Sequence, residues 1–365
     1  MSSTPSETPQ PTPPKNDASK APPPPPRKKP RWGLRILIVL LALSVLANFV
    51  LYANFQEYFT AGNEPIEKFH SGNALASDKI AIIRVQGTIM PPMTERLIKQ
   101  IKHTQEDGSV KGVLLTIDSP GGLVADSHQI YHELQKLVND SKKPVYVAMK
   151  RLAASGGYYI AMGAGPEAKI FAEPTTWTGS IGVIIPRYDV SGLADDWHIK
   201  SVPLKTGKFK DALSPFRPLT DEERELWGEI LNESFAKFLT VIDENRTTLT
   251  IRKTDAPTAG DDPSVVPNQM ELISEKTDVQ EKTNLATGRI FTADQAIKAG
   301  LVDEIAFEED ALKQLQDKLE LEDPRIVIYE TPVSLWETLM GLGKAQEPEQ
   351  KQQARLDASV PQAMY

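Results

Sequence analysis

Between residues 36 and 53 the chain carries no charge, and Leu, Ile, Val, Ala and Phe make up most of the run. Eighteen helical residues span about 27 Å, close to the ~30 Å hydrocarbon layer of a bilayer. Arg27, Lys28, Lys29, Arg31 and Arg35 crowd its N-terminal side. By the positive-inside rule that end stays in the cytoplasm and the body lies across the membrane. Trp32, Tyr52 and Tyr58 suit the interfacial aromatic belts. A cleaved signal peptide is the competing explanation. Against it, the run exceeds an ordinary h-region, and the first A-x-A triplet, Ala74-Leu75-Ala76, comes about twenty residues too late. The expectation is an uncleaved anchor helix over residues 35–57.

The anchor divides the chain into unlike parts. Residues 1–30 hold eleven of the 29 prolines, including the run 22–26. Such a segment buries too little apolar surface to offset ordering, so residues 1–34 read as a disordered basic tail, a spacer or a polyproline ligand. Residues 1–35 carry seven basic and two acidic side chains, which leaves 34 basic against 47 acidic residues in the remainder. An acidic body argues against a nucleic-acid partner, since phosphate binding needs clustered positive charge. The absence of cysteine excludes disulfides, thiolate catalysis and Cys-ligated metal, and fits an oxidising compartment.

After a linker at 58–77, strand and helix patterns alternate. "KIAIIRVQG" reads as a buried strand, and Thr94 as the cap of the helix "ERLIKQIKHTQE". "GVLLTID" is a strand, and "LVADSHQIYHELQKLVND" an amphipathic helix with Leu123, Ile130, Leu134 and Leu137 on one side. "KPVYVAMK", "AKIFAE", "IGVIIP" and "IKSVPLK" read as further strands. A long helix then opens on a capping box of Thr220 and Glu223. Repeated βαβ units imply an α/β fold built on a parallel sheet. Residues 247–284 break the rhythm and read as an inserted surface loop, and residues 331–365 as a C-terminal tail.

Two strand-to-helix junctions are rich in glycine. In "RLAASGGYYIAMGAG" Ser155 follows a strand and begins a helix, which exposes a hydroxyl beside unpaired helical N–H groups. Gly156 and Gly157 let a substrate carbonyl approach the backbone. A tight-packing turn of small residues is the plainer reading, and the G-x-S-x-G elbow pattern is absent. In "IDSPGGLV" Gly121 and Gly122 offer unobstructed N–H groups, either as oxyanion donors or in a turn without ligand. Both junctions fall at the carboxyl edge of the sheet, where parallel sheets bind ligands.

The proton acceptor for Ser155 is less evident. His128 and His132 are spaced as in a zinc-binding H-E-x-x-H, but Gln129 stands where the general base belongs. His70, His103 and His198 stand at no glycine turn, so no Ser-His-Asp triad is visible. "KTGKFKDALSPFRPLT" supplies Lys205, Lys208 and Lys210 after a strand end. A lysine acts as a base only when neutral, so its pKa must fall from ~10.4 to 7 or 8, about 4 kcal/mol of desolvation. A solvated charge is the ordinary state of a loop lysine. Ser180 in "TGSIGV", at another sheet edge, offers a hydroxyl to hold the neutral amine.

Together, "SPGG", "AASGGYYIA", "TGSIGV", "GKFKDALSPFRPLT" and "GRIFTADQAIKAGLVDE" resemble, in order and spacing, the signal peptide peptidase A family of membrane-anchored Ser-Lys proteases. The resemblance covers residues 78–330. It implies a ClpP/crotonase-like spiral of ββα units behind one transmembrane helix. It makes Ser155 the nucleophile, Lys210 the general base and Ser180 the hydrogen-bonding partner of the base. By analogy with ClpP, the Gly122 and Gly156 N–H groups form the oxyanion hole. No metal and no cofactor are implied. The implied substrates are released signal peptides and other extended hydrophobic peptides. The implied setting is the bacterial inner membrane, with the catalytic domain on the periplasmic side. Short members of the family resemble rings in which serine and lysine meet across a subunit boundary, so a homo-oligomeric ring is expected. Two features depart from the pattern: the 247–284 insertion, and Asp118 where asparagine is usual, which would alter the charge near the oxyanion turn. A crotonase-like acyl-CoA enzyme and a catalytically silent membrane scaffold are the rival readings.

Overall fold

The computed structural model describes residues 32–56, 65–254, 264–275 and 283–330, and the chain divides into two units, residues 1–59 and 60–365. In the first, helix α1 (Trp32–Gln56) contains the uncharged run. Eighteen of its residues, Arg35–Tyr52, average a mean hydropathy of 2.3, and none is buried within the protein. A helix that is apolar all round needs either a protein core or a membrane around it, and α1 is long enough to cross one.

The second unit begins with β1 (Ile66–Gly72), β2 (Lys79–Gln86), α2 (Met93–Glu106), β3 (Val110–Ser119), α3 (Val124–Asn139) and β4 (Val145–Ala154). It continues through α4 (Gly156–Ala161), β5 (Ile170–Ala172), β6 (Trp177–Gly179), α5 (Ser191–Asp196) and α6 (Asp221–Asn245). β7 (Leu249–Lys253), β8 (Met270–Ser274), β9 (Ile290–Thr292), α7 (Ala293–Ala299), β10 (Glu304–Ile305), α8 (Glu308–Lys318) and β11 (Arg325–Glu330) complete it. The main sheet runs β1-β11-β2-β3-β4-β5-β10, parallel from β11 to β10. The fold is therefore the expected α/β class, a mostly parallel sheet preceded by an apolar N-terminal helix.

Period-two alternation sends neighbouring residues of each strand into different cores. Ile83, Val85, Leu115 and Ile117 pack on one face with α2, α3 and α6, through Leu97, Ile130, Leu134 and Leu239. Ile80, Ile82, Leu114 and Tyr146 pack on the other against Ala311 and Leu315 of α8. The Thr220–Glu223 capping box opens α6 as expected.

Several local expectations need correction. Thr94 lies inside α2, buried, and provides no cap; Pro92 is the N-cap residue. Leu123 precedes α3 and is exposed, because the following turn faces outward. The stretch 58–77 is more than a linker, since it supplies β1, which pairs antiparallel with β11. Within 247–284 the described residues form an antiparallel β7–β8 ribbon whose Leu249, Leu272 and Ile273 are buried, so the insertion is only partly a surface loop. The apolar runs 181–186 and 199–205 form no strands. They lack a hydrogen-bonding neighbour in the sheet and leave Ile184, Val202 and Leu204 largely exposed. The expected tails, 1–34 for the most part and 331–365, fall outside the described residues.

One buried ion pair joins the end of α6 to the rest of the fold. The Arg246 guanidinium donates to both carboxylate oxygens of Asp303 at 2.9 Å and to the Gly300 carbonyl at 2.7 Å. Asp303 also accepts the Ile170 N–H of β5 at 2.8 Å. Removing the carboxylate strands a buried cation, which costs about 2–3 kcal/mol where one partner is partly exposed. Asp303→Ala is therefore expected to destabilise the body by that amount in urea unfolding of the detergent-solubilised chain.

Candidate active site

β4 bends before it ends. Opposite β3 its register passes from Met149, facing Ile117, to Ala153, facing Ser119, so four residues of β4 span two of β3. Such a bulge re-aims a strand. The last three residues of β4 then pair with β6, Ala154 opposite Gly179. Ser155 and Ser180 follow these two residues directly, so they leave adjacent parallel strands side by side.

Both serines hold left-handed backbone angles, φ 53° at Ser155 and φ 52° at Ser180. Positive φ costs a residue with a side chain about 1–3 kcal/mol and persists only where the surroundings fix it. Here the Ser155 N–H donates to the Gly179 carbonyl at 2.8 Å, and the Ser180 N–H to the Arg289 carbonyl at 2.8 Å. Behind Ser155, α4 is wholly buried. The Tyr158 hydroxyl donates to the Leu301 carbonyl at 2.9 Å, and burial pushes this phenol up, well out of the titrating range. Ser155 stands half-buried at the junction, its hydroxyl making no capping hydrogen bond to α4.

The turn after β3 lies against this junction. The Ser119 hydroxyl accepts the Gly121 N–H at 3.1 Å, and Gly121 takes φ 94°. Ile89 clamps the turn from outside, donating to the Gly121 carbonyl at 2.9 Å and accepting the Leu123 N–H at 2.8 Å. The closeness of the two turns can be judged from the space a methyl group would need. On Gly156 it would lie 3.2 Å from the Gly122 nitrogen, and on Gly121 it would lie 2.6 Å from the Gly156 nitrogen. Among the described residues the Gly122 and Gly156 N–H groups donate to no acceptor. A hydroxyl beside two unclaimed N–H groups suits attack on a carbonyl with stabilisation of the resulting oxyanion. Met90, Leu123 and Val124 leave an exposed apolar rim on the glycine turn.

The five site residues inferred from sequence thus fall into two groups. Ser155, Ser180, Gly122 and Gly156 come together at one sheet edge, and Lys210 does not join them. It lies on an exposed 3₁₀ turn, Lys208–Asp211, its N–H donating to the Gly207 carbonyl at 3.2 Å and its side-chain amine making no hydrogen bond or ion pair among the described residues. The neighbouring lysines are engaged: Lys205 pairs with Asp211 at 2.5 Å, and Lys208 pairs with Glu222. Asp118 is paired as well, accepting from Arg151 at 2.6 and 3.0 Å. His128 takes no part in a triad. Its Nδ1 hydrogen-bonds the Tyr159 hydroxyl at 2.7 Å, and burial holds its pKa below the usual value.

Two features escaped the sequence reading. Buried Ser127 packs so near Gly156 that a methyl group there would meet its Oγ at 2.5 Å. Arg217, inside the quoted lysine motif, bridges Asp211 and Glu223. The spacing of Lys205, Asp211, Arg217 and Glu223 at six-residue intervals is the signal that would have revealed the second. The first depends on tertiary contact alone.

The sequence comparisons point to a family. A model of peptidase family S49 matches residues 138–260 and 268–322, a span containing Ser155, Ser180 and Lys210. A protein of Enterococcus faecium provisionally named signal peptide peptidase SppA is 31% identical over 313 residues, 81% of each chain. A provisionally named protease of Methanocaldococcus jannaschii is 33% identical over 298 residues, 80% of this chain and 83% of that one. Protease 4 of Haemophilus influenzae is 27% identical over 271 residues, 72% of this chain but 37% of its own length.

The glycine turn offers a test of the geometry. Alanine at residue 121 would combine a disfavoured positive φ with a methyl group 2.6 Å from the Gly156 nitrogen and 2.9 Å from the Ala154 carbonyl oxygen. Gly121→Ala is expected to cost about 3 kcal/mol, read as a lowered unfolding midpoint.

Proposed function

The chain belongs to peptidase family S49, and from that premise we propose that it is a membrane-anchored serine endopeptidase in which the Lys210 amine activates Ser155. The observation that carries this reading is Ser155 itself, held at positive φ beside the free Gly122 and Gly156 N–H groups. Neutral Lys210 takes the Ser155 proton as the oxygen attacks a peptide carbonyl. The two amides receive the oxyanion, and the Lys210 ammonium returns its proton to the leaving nitrogen as the intermediate collapses, which releases the amine product and leaves Lys210 neutral again. Water, deprotonated by the same amine, then hydrolyses the acyl-enzyme. The Ser180 hydroxyl accepts a hydrogen bond from the amine, or donates one to its lone pair, and so holds it in place.

In a single chain Lys210 is exposed to water, and a lysine that is to work as a neutral base needs that water removed. The desolvation must come from another surface. The segment around the lysine turn presents Ile184, Tyr188, Trp197, Val202 and Leu204 to solvent, each more than 70% exposed. An apolar surface of that kind marks an association site. A homo-oligomeric ring, in which the lysine turn of one copy closes over the serine of the next, accounts for it. The bacterial inner membrane, with the body on the periplasmic side, fits α1 and the basic flank before it. Released signal peptides and other extended hydrophobic segments suit the apolar rim of Met90, Leu123 and Val124. The acidic body offers nothing to nucleic acid.

Ser155→Ala and Lys210→Ala are each expected to abolish peptide cleavage, while Lys208→Ala stays active. If the dyad is shared between copies, co-assembling the two inactive variants restores about a quarter of the wild-type activity, because each heterologous interface draws one residue from each neighbour. A dyad within one copy restores none. For wild type, kcat/KM should rise with pH through 7–8 as Lys210 deprotonates and then level off. A rise continuing past about pH 10 would mean that no desolvated lysine is at work. Labelling of Ser155 by a fluorophosphonate separates the peptidase from an acyl-CoA enzyme or an inactive scaffold.

A further inference from the structure

The turn that carries Lys210 is bound by charge on both sides, yet Lys210 itself is left out. Arg217 donates to the Asp211 carboxylate at 3.0 Å, to the Asp211 carbonyl at 3.1 Å and to Glu223 at 2.5 and 2.8 Å. Lys205 donates to the Asp211 carboxylate at 2.5 Å and to the Lys208 carbonyl at 3.1 Å. Glu222 receives Lys208. From the preceding loop, Arg187 donates to the Ser214 and Arg217 carbonyls and faces Asp189 at 3.7 Å. Asp211, Glu222, Glu223 and Asp189 therefore each have a cation already.

This matters because Asp211 is the next residue after Lys210. A carboxylate without a partner within about 4–6 Å of an amine favours its charged form and raises its pKa by 1–3 units. A base at this position needs the opposite. Glu223, only 3% exposed, ties the arrangement to the first turn of α6, because its carboxylate also accepts the Thr220 N–H at 3.1 Å.

We propose that Arg217 is a positioning residue for the general base: it pins the Lys208–Asp211 turn to α6 and withholds the negative charge of Asp211 from the Lys210 amine. The proposal rests on the reading of Lys210 as the base and adds what keeps that base available. The charge of Arg217, reinforced by Lys205, holds the Asp211 carboxyl well below the ordinary carboxylate range. Arg217 likewise lowers Glu223 to about 2. Both carboxylates thus stay ionised, and matched, at every pH where the amine titrates.

The test is the acidic limb of the kcat/KM–pH profile, measured on the full-length chain in detergent with a fluorogenic hydrophobic peptide. Arg217→Gln leaves Asp211 with Lys205 as its one remaining cation, so part of its charge falls to Lys210, and should move the midpoint up by about one unit, with roughly a tenfold loss of kcat/KM on that limb. Asp211→Asn leaves Lys205 unmatched beside the turn, with Arg217 matched by Glu223 alone, and should move the midpoint down. Arg217→Lys keeps the charge and should keep the midpoint, whatever it loses in rate. Shifts of opposite sign for the first two variants support the proposal. An unchanged midpoint in a folded Arg217→Gln, or an upward shift in Asp211→Asn, overturns it, and the second variant decides the matter if the first does not fold. If Lys210→Ala keeps its activity, it is the base assignment that fails, and the limb belongs to another group.

Discussion

The change of partner at the end of β4 is the constraint on which the site depends. Three residues leave β5 behind and pair with β6, and that pairing sets Ser155 against the Gly179 carbonyl. The strained φ of Ser155 is thereby enforced by sheet register and by the buried α4 behind it, with no capping bond from its own hydroxyl. The same pairing aligns Ser180, and the β3 turn packs close enough to bring the Gly122 amide alongside. Every element of this half of the site is anchored in the core. Strain of about 1–3 kcal/mol at each serine is tolerable only because the hydrogen-bonded sheet around it cannot relax locally.

The lysine half is built differently. Apart from the link of Arg217 to buried Glu223, its turn is held by ion pairs at the surface, and the apolar runs on either side find no strand to join among the described residues. Surface ion pairs fix a geometry weakly and contribute little to stability, commonly less than about 1 kcal/mol each. A base supplied by such a segment reaches its working geometry, and sheds its water, only when a second surface closes on it. The exposed apolar side chains and the exposed amine thus express one deficit. Under the proposed dyad the rigid half would gain nothing from closure except exclusion of water, whereas the lysine half would need closure to become a base at all.

This division also explains what could be read from the sequence. The parallel sheet, its helices and the α6 capping box were legible because period-two and period-3.6 patterns record burial directly. The glycine turns were legible because glycine beside a strand end has few other uses. The runs 181–186 and 199–205 carry the same apolar pattern and misled for that reason: a strand pattern reports that a segment wants burial, not that its own chain provides it. Thr94 misled because a threonine near a helix start resembles a cap even when it lies within the first turn. β1 was missed because "IEKFHSG" mixes charge with few apolar residues, as an edge strand exposed to solvent is free to do. The positive φ at Ser155 and Ser180 has no signature in residue type, since it comes from register alone.

Asp118 shows how a departure from a family pattern can be absorbed. A carboxylate one residue before the Ser119 turn would oppose the negative charge that develops on an attacked carbonyl, if it faced the same side. Strand alternation prevents this. Ser119 points to the α4 side, where its hydroxyl supports Gly121, so Asp118 points to the opposite face, toward α8. There Arg151, from the bulge that bends β4, meets it with two hydrogen bonds. The charge that would have disturbed the glycine turn is paired by the strand that carries Ser155, the proposed nucleophile, and becomes part of the bend that aims it.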